Sequence, residues 1–313
     1  MISRRNIRIK VMQTLYTVSL ESDTAKNPAP EKILEQHFTD TRVLLVYLTW
    51  FLTEVARYAE TDAHQKASKH LPTESDLHVN IKLAGNEYLW RMLEDPALKE
   101  QFELVKPQLI LKKYQSEDMD MVKKVYQQLS ECKPYQDYIN TSSREKADEK
   151  KILEFILNDL LLANKFFLSH IEESFSNWDD DGEMVVQLLV AYINKPGSYN
   201  FNEMVSPDKD LFAHDLLRTV LEKKEHLQAL IVPKLKNWDP ERIALLDMIL
   251  MNMGVAEFLY FETIPPKVTI NEYIDLAKEY STAQSGQFVN GILDNIHKDL
   301  VLEGKMKKVD FKK

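Results

Sequence analysis

Glycine is scarce in this chain, and its scarcity limits the possible folds more than any other feature. Only 7 of the 313 residues are glycine. Nucleotide-binding α/β sheets use glycine at the tight turns between strand and helix, so this composition disfavours them. Apolar residues instead recur at helical spacing, as Ile7, Val11, Leu15 and Val18 do. We therefore predict an all-α fold whose first helix spans about residues 3–20.

Breaks in the apolar pattern divide the rest of the chain. Asn27–Pro30 is predicted to be a linker, residues 134–143 a loop, and residues 145–175 one long helix. Four more helices are predicted near residues 207–233, 240–260, 269–279 and 282–298.

The starts of these later helices carry recognisable signals. Ser206-Pro207 and Asp239-Pro240 each pair a capping side chain with proline at the first helical position. Thr269-x-x-Glu272 and Ser281-x-x-Gln284 match the capping box, in which each side chain binds an orphan backbone N–H.

The charge is unevenly distributed. The formal net charge is −9, yet residues 1–10 and 304–313 together hold nine bases and one acid. Two basic ends on an acidic body bind a polyanion only if they come together in space. The alternative is that both ends are simply solvated.

Several functional classes are disfavoured. A single cysteine, Cys132, forms no internal disulfide, and no apolar stretch is long enough for a membrane span. The N-terminal segment begins with basic residues but continues as an amphipathic sequence. We therefore expect no secretory signal, and the predicted localisation is cytoplasmic. No glycine-rich phosphate loop is present. Residues 177–182 mimic half a calcium loop, but Leu188 replaces its essential glutamate, so an acidic turn is predicted. We expect no metal, no cofactor and no enzymatic activity.

The C-terminal third carries the most specific motifs. Residues 270–278 read INEYIDLAK, and residues 287–294 read QFVNGILD. The first helix contains Arg4-Arg5-Asn6-Ile7-Arg8 followed by Gln13-Thr14-Leu15-Tyr16. These motifs closely resemble the NusB family, over about residues 3–20 and 207–298.

The resemblance implies a NusB-like helical bundle interrupted by a large insertion. Residues 1–20 form its first helix, 25–200 a helical insertion, 205–300 the remainder, and 301–313 a basic tail. The implied function is RNA binding in transcription antitermination. Family members bind boxA-type rRNA leader RNA together with the ribosomal protein NusE, within an RNA polymerase antitermination complex, and support rRNA processing.

The resemblance also suggests which residues contact RNA. Arg4, Arg5 and Arg8 match an arginine-rich helix, and guanidinium groups bind phosphates bidentately. Arg5 and Arg8 are three residues apart, on one flank of the apolar stripe. Lys10 and Gln13 extend this strip. The alternatives are a solvated helix start for the arginines and ordinary polar surface for Lys10 and Gln13.

Three more residues are assigned roles by the resemblance. Phe288 is expected to stack on an unpaired base and Asn290 to read a base edge. Tyr16 is expected to face the protein partner. The alternatives are a core position for Phe288 and for Tyr16, and backbone capping for Asn290. Asn6 and Gln287 replace basic residues of the family motif and so weaken the RNA contacts.

A different function remains open on the sequence. The net charge of −9 and the replaced positions Asn6 and Gln287 favour a helical protein–protein scaffold that uses the insertion and does not bind RNA. RNA methyltransferases also carry NusB-like domains, but the glycine-rich cofactor sequence of such enzymes is missing from this chain.

Overall fold

The structure, a computed structural model, describes residues 2–20, 29–110, 115–198, 200–235 and 243–309. Fifteen α-helices and no strands occur in these ranges, so the all-α prediction is confirmed. The helices are α1 Arg4–Leu20, α2 Pro30–Ala67, α3 Glu74–Leu77, α4 Glu87–Glu94, α5 Pro96–Ile110, α6 Gln115–Glu131, α7 Lys133–Asn140, α8 Lys146–Phe155, α9 Lys165–Ser174, α10 Trp178–Asn194, α11 Pro207–Glu222, α12 Lys224–Ile231, α13 Leu245–Tyr260, α14 Pro266–Tyr280 and α15 Ser285–Leu302.

The helices form two compact units. Unit 1 comprises Thr39–Met204, and unit 2 comprises Ile2–Phe38 with Val205–Lys313. Helix α2 contributes its first residues to unit 2 and the remainder to unit 1. Within the described ranges, no helix is both long and apolar enough to cross a membrane.

Helix α13 is the centre of unit 2. Its residues from Ile249 to Phe258 are all buried, so it is covered on every side, unlike an amphipathic surface helix. It packs against α1, α11, α12, α14 and α15. Gly254 lets α13 and α15 pack closely, because a Cβ at that position would lie 2.9 Å from the Leu293 side chain of α15.

Unit 1 has an aromatic core along α2. Phe51 packs on Phe167 of α9, with 4.7 Å between ring centroids, and Tyr47 packs on Phe175 at 5.0 Å. All four rings are buried. Aromatic pairs at such distances add to the hydrophobic gain from burial, so these contacts tie α9 to α2.

Two predicted boundaries in unit 1 are wrong for identifiable reasons. The predicted loop at 134–143 contains α7, because Pro134 lies in the first turn, where proline favours a helix. The predicted helix over 145–175 is interrupted. A π-helical turn, Ile156–Leu161, follows α8, and Asn164 then starts α9 by accepting hydrogen bonds from two backbone N–H groups.

The predicted helix starts in unit 2 had mixed outcomes. Ser206-Pro207 does open α11, although the serine side chain does not cap the helix. Neither predicted capping box starts a helix. Thr269 lies inside α14, and Ser281 lies four residues before Ser285, where α15 begins. The helix predicted over 207–233 is divided at Lys223 into α11 and α12. Asp239-Pro240 and most of Asn27–Pro30 lie outside the described residues.

Candidate nucleic-acid interface

The first turn of α1 carries two arginines at the surface of unit 2. The side chain of Arg5 is 36% exposed, and its Nη2 lies 2.7 Å from the Glu279 carboxylate near the end of α14. Arg4 is exposed, and its guanidinium carbon lies 5.4 Å from the centroid of the Phe212 ring. Within the described ranges Arg4 makes no ion pair. It is therefore the arginine of this helix best placed to meet a phosphate.

Arg8 has a different environment from the other two arginines. It is 2% exposed, and it binds Glu257 of α13 through Nε at 2.7 Å and Nη2 at 3.1 Å. Its Nη1 lies 3.4 Å from Glu272. Burial alone would lower the pKa of Arg8, but the charge and hydrogen bonds of Glu257 raise that pKa above its ordinary value. The prediction that Arg8 contacts RNA is therefore corrected, because its guanidinium is used inside the fold.

Glu257 is the centre of a buried polar network. Its carboxylate also accepts hydrogen bonds from Thr269 at 2.9 Å and Tyr273 at 2.8 Å, both on α14. Burial and the neighbouring Glu257 raise the pKa of Tyr273 well above its ordinary value, so its hydroxyl remains a donor. Four donated bonds satisfy this carboxylate and join α1, α13 and α14.

One basic residue from near each end of the described chain contacts Glu257: Arg8 binds its carboxylate, and Lys308 its backbone carbonyl. Lys308 donates from Nζ to the backbone carbonyls of Glu257 and Phe261, each at 2.7 Å, and so caps the C-terminus of α13. Burial lowers the pKa of Lys308 to about 8, although Glu257 and Glu262 oppose this shift. The two cations that meet here, Arg8 and Lys308, both serve the fold.

Lys10 and Gln13 also differ from the predicted strip. Lys10 is 1% exposed, so its prediction as an RNA contact is corrected, because a buried ammonium group is not accessible to a phosphate. Gln13 is half-buried. Helix α1 is enclosed over more of its circumference than its apolar stripe indicates, because Ile7 to Met12 are all buried. Neither residue lies on the surface that carries Arg4.

Phe288 and Asn290 lie near the start of α15, at the closed end of the hairpin that α14 and α15 form. Phe288 is half-buried, Asn290 is exposed, and Val289 between them is buried. Glu279, which pairs with Arg5, lies at the same end of this hairpin. The structure thus brings Arg5 to the end of the hairpin that carries Phe288 and Asn290.

Tyr16 is 41% exposed on α1. Its ring is therefore a surface feature and not a core one, which leaves it accessible to a partner. The expectation that it faces a protein partner remains a prediction.

Sequence reasoning missed the acids that organise this site, although one signal was present. Glu257 is the only acid between Met248 and Tyr260, in an almost wholly apolar helix. An ionisable residue in such a setting is buried only when it is paired. Its partner Arg8 is 249 residues away in the chain, so the sequence alone did not identify the pair.

The calcium-like segment is part of a helix. Asn177 precedes α10 without capping it through its side chain, and the acids at 179–181 occupy the first turn of the helix, where negative charge is favourable. Asp181 accepts hydrogen bonds from Thr41 and Asn177. No group of three or more possible metal ligands occurs in the described part of the chain.

Unit 2 is thus an all-α bundle organised around one buried helix, with surface arginines on its first helix. Comparison with known proteins identifies the class of this bundle. The family model for the NusB family matches residues 173–298. This match begins in α9, upstream of residue 205, where the sequence analysis placed the remainder of the bundle.

Curated relatives agree with the family model. The chain is 36% identical over 126 residues to the transcription antitermination protein NusB of Methylacidiphilum infernorum, covering 37% of this chain and 87% of that protein. It is 43% identical over 134 residues to the NusB protein of Salinibacter ruber, covering 43% and 79%. The chain belongs to the NusB family.

Proposed function

We propose that this protein is an RNA-binding transcription antitermination factor that acts by binding and not by catalysis. Its membership of a family whose curated members are named transcription antitermination proteins supports this role. The expected ligand is single-stranded boxA-type rRNA leader RNA. The expected partners are the ribosomal protein NusE and the RNA polymerase antitermination complex, in the cytoplasm.

The observation that carries the proposal is that Arg4 and Arg5 lie in the first turn of α1 at the surface, with Arg5 next to the closed end of the α14–α15 hairpin. We infer that Arg4 and Arg5 bind phosphates, that Phe288 stacks on an unpaired base, and that Asn290 reads a base edge. Arg5 exchanges its exposed pair with Glu279 for a phosphate at little cost, because exposed ion pairs contribute about 0–1 kcal/mol.

The domain organisation is part of the same proposal. We propose that residues 1–20 and 205–300 form the RNA-binding bundle and that 25–200 is an insertion with its own role, followed by the tail 301–313. Unit 2 combines the first helix with the residues after 204, which supports this division, although unit 2 also includes the start of α2 as far as Phe38.

A salt titration tests the proposal. Fluorescence anisotropy of a labelled boxA-like RNA is measured for the wild type and for Arg4→Ala/Arg5→Ala, with a scrambled RNA as reference. Each lost phosphate contact to single-stranded RNA lowers the slope of log K against log salt by about 0.7, so the double variant loses about 1.4. Phe288→Ala weakens binding by about 1–3 kcal/mol without changing that slope.

The matched control is Arg57→Ala/Arg91→Ala in unit 1. Both side chains are 50% exposed, and each pairs with one acid in its own helix. This control leaves the affinity and the slope unchanged. An equal loss in the control, or an unchanged slope for Arg4→Ala/Arg5→Ala, contradicts the proposed RNA surface.

A further inference from the structure

Unit 1 contains a groove between α6 and α9 that the RNA surface does not involve. The groove has a volume of about 780 Å³, within the range of sites that bind ligands or peptide side chains. Facing stripes of the two helices form its walls. The residues used in the argument below are Glu117, Asp120, Lys124 and Glu131 from α6, and Phe166 and Glu173 from α9.

One wall carries an aromatic side chain that the fold leaves in solvent. Phe166 is 84% exposed, whereas the next residue, Phe167, is fully buried against Phe51. A phenylalanine at the surface forgoes roughly 1.5–3 kcal/mol of burial energy. Asn164 caps α9 by accepting hydrogen bonds from the backbone N–H groups of Phe166 and Phe167, which fixes the backbone from which the Phe166 ring projects at the groove.

The groove is strongly acidic. Glu117, Asp120, Glu131 and Glu173 line it together with a single ammonium group, Lys124. All four acids are exposed, and across the described ranges none of them makes an ion pair. Their charges repel a nucleic-acid backbone and attract Lys or Arg side chains.

The floor of the groove is held rigidly. The Tyr47 hydroxyl donates to Asp118 at 3.0 Å and lies 2.9 Å from Nε2 of His170, which itself lines the groove. The Asn164 amide donates to Gln128 at 3.2 Å and so joins α9 to α6. A groove fixed by such bonds needs little ordering when a ligand binds, which lowers the entropic cost of binding.

We propose that this groove binds a basic amphipathic helix of a protein partner, with one apolar face packed on Phe166. Lys and Arg side chains of that helix pair with the four carboxylates. Helix-in-groove recognition uses an apolar stripe for affinity and flanking charges for register. In this groove Phe166 matches the apolar stripe, and the four carboxylates match the basic flanks. This surface is additional to the RNA surface and independent of it.

The test uses the full chain and a defined probe. Its single cysteine, Cys132, follows Glu131 at the groove rim and is labelled with an environment-sensitive fluorophore. The probe is a short peptide of Lys, Arg and Leu with its leucines on one helical face. An isomer of the same composition, with its leucines dispersed around the helix, is the reference peptide.

Two groove variants and two matched controls are compared. The groove variants are Phe166→Ala and Glu117→Gln/Asp120→Asn/Glu173→Gln. The controls lie in unit 1 outside the groove: Leu104→Ala, which is 56% exposed in the wild type, and Glu60→Gln/Glu94→Gln/Glu103→Gln, which replaces exposed acids.

The expected result is saturable binding of the amphipathic peptide with a change in label emission. Phe166→Ala weakens it about tenfold or more, as a central aromatic contact does. The carboxamide variant weakens it and flattens its salt dependence, while both controls behave as the wild type does.

Several results would overturn the proposal. They are equal binding of the dispersed isomer, equal loss in the controls, the lack of saturable binding, and displacement of the peptide by single-stranded RNA. Self-association that Phe166→Ala abolishes, measured by sedimentation, would also overturn it and would make the groove an interface between copies of this chain.

Discussion

Replacing Arg8 by alanine tests whether this arginine serves the fold and not the RNA. The side chains of Arg8 and Glu257 are 3% and 0% exposed, so the pair is almost fully removed from water. The variant leaves the Glu257 carboxylate buried without its cation. Removing one partner of a buried pair costs about 3–5 kcal/mol in the free energy of unfolding.

The hydrogen bonds that Glu257 keeps in the variant determine whether the loss of unfolding free energy lies at the low or the high end of this range. Thr269 and Tyr273 continue to donate to Glu257, so the carboxylate keeps two of its four hydrogen bonds. We therefore expect Arg8→Ala to cost about 3 kcal/mol, the lower end of the range. Arg5→Ala, in the same helix but with a half-exposed pair, is the matched control and costs at most about 1 kcal/mol.

A double-mutant cycle isolates the interaction. In Arg8→Met/Glu257→Gln the neutral amide still accepts a hydrogen bond from Thr269 or Tyr273 and no uncompensated charge is buried. The double variant should therefore be more stable than Arg8→Met alone, with a coupling energy of about 2 kcal/mol.

Hydrogen exchange by mass spectrometry is the appropriate assay, because two compact units need not unfold together. Opening free energies are read from peptides of α1 and α13. If Arg8→Ala lowers them no more than Arg5→Ala does, the buried-pair argument fails. The folded Arg8→Ala protein should keep the wild-type salt slope for RNA, and a shallower slope would restore Arg8 as a phosphate contact.

Three further predictions concern unit 2. Gly291→Ala is expected to stabilise the protein by up to about 1 kcal/mol, because nothing lies within 4 Å of the new Cβ. Gly254→Ala should instead destabilise it, since overpacking against buried Leu293 costs about 1–3 kcal/mol; urea titrations distinguish the two signs. For Lys308, the pKa is lowered from 10.5 to about 8, so the unfolded chain binds more protons between these pH values. Its contribution to stability is therefore present above pH 10.5 and is lost as pH falls through 8. Lys308→Met should remove that pH dependence from urea titrations across this range, and an unchanged profile would contradict the assignment.

The sequence predicted the existence of helices better than their ends. The apolar stripe of the first helix predicts the span of α1 to within one residue, because such a stripe depends only on local spacing in the sequence. The pattern does not predict the interruption between α8 and α9, because apolar residues continue on both sides of it. The only local signal is Asn164, which caps α9. Pro134 was read as a loop residue because proline marks both loops and helix starts.

The candidate site could be predicted only in part, because burial of a charged side chain depends on a partner far away in the chain. Arg5 and Arg8 are three residues apart and share a helix flank, so local spacing gave them the same role. Their environments differ because Arg8 faces Glu257 of α13, whereas Arg5 faces Glu279 near the end of α14. Such a pairing is set by tertiary packing, which periodicity does not encode.

The network around Glu257 also explains how a first helix remains part of a distant bundle. Helix α1 ends at Leu20 and α11 begins at Pro207, so a long segment separates them in the chain. The entropic cost of closing a loop grows only logarithmically, by about 0.6 kcal/mol for each doubling of its length. Burial of the α1 side chains Ile7, Val11 and Met12, at about 1.5–3 kcal/mol each, offsets several doublings, and the Arg8–Glu257 pair fixes how α1 packs in the bundle. Because Lys308 binds the backbone of the same Glu257, one buried acid holds both Arg8 and Lys308 against α13, and a residue near each end of the described chain is thereby tied to the central helix of the bundle.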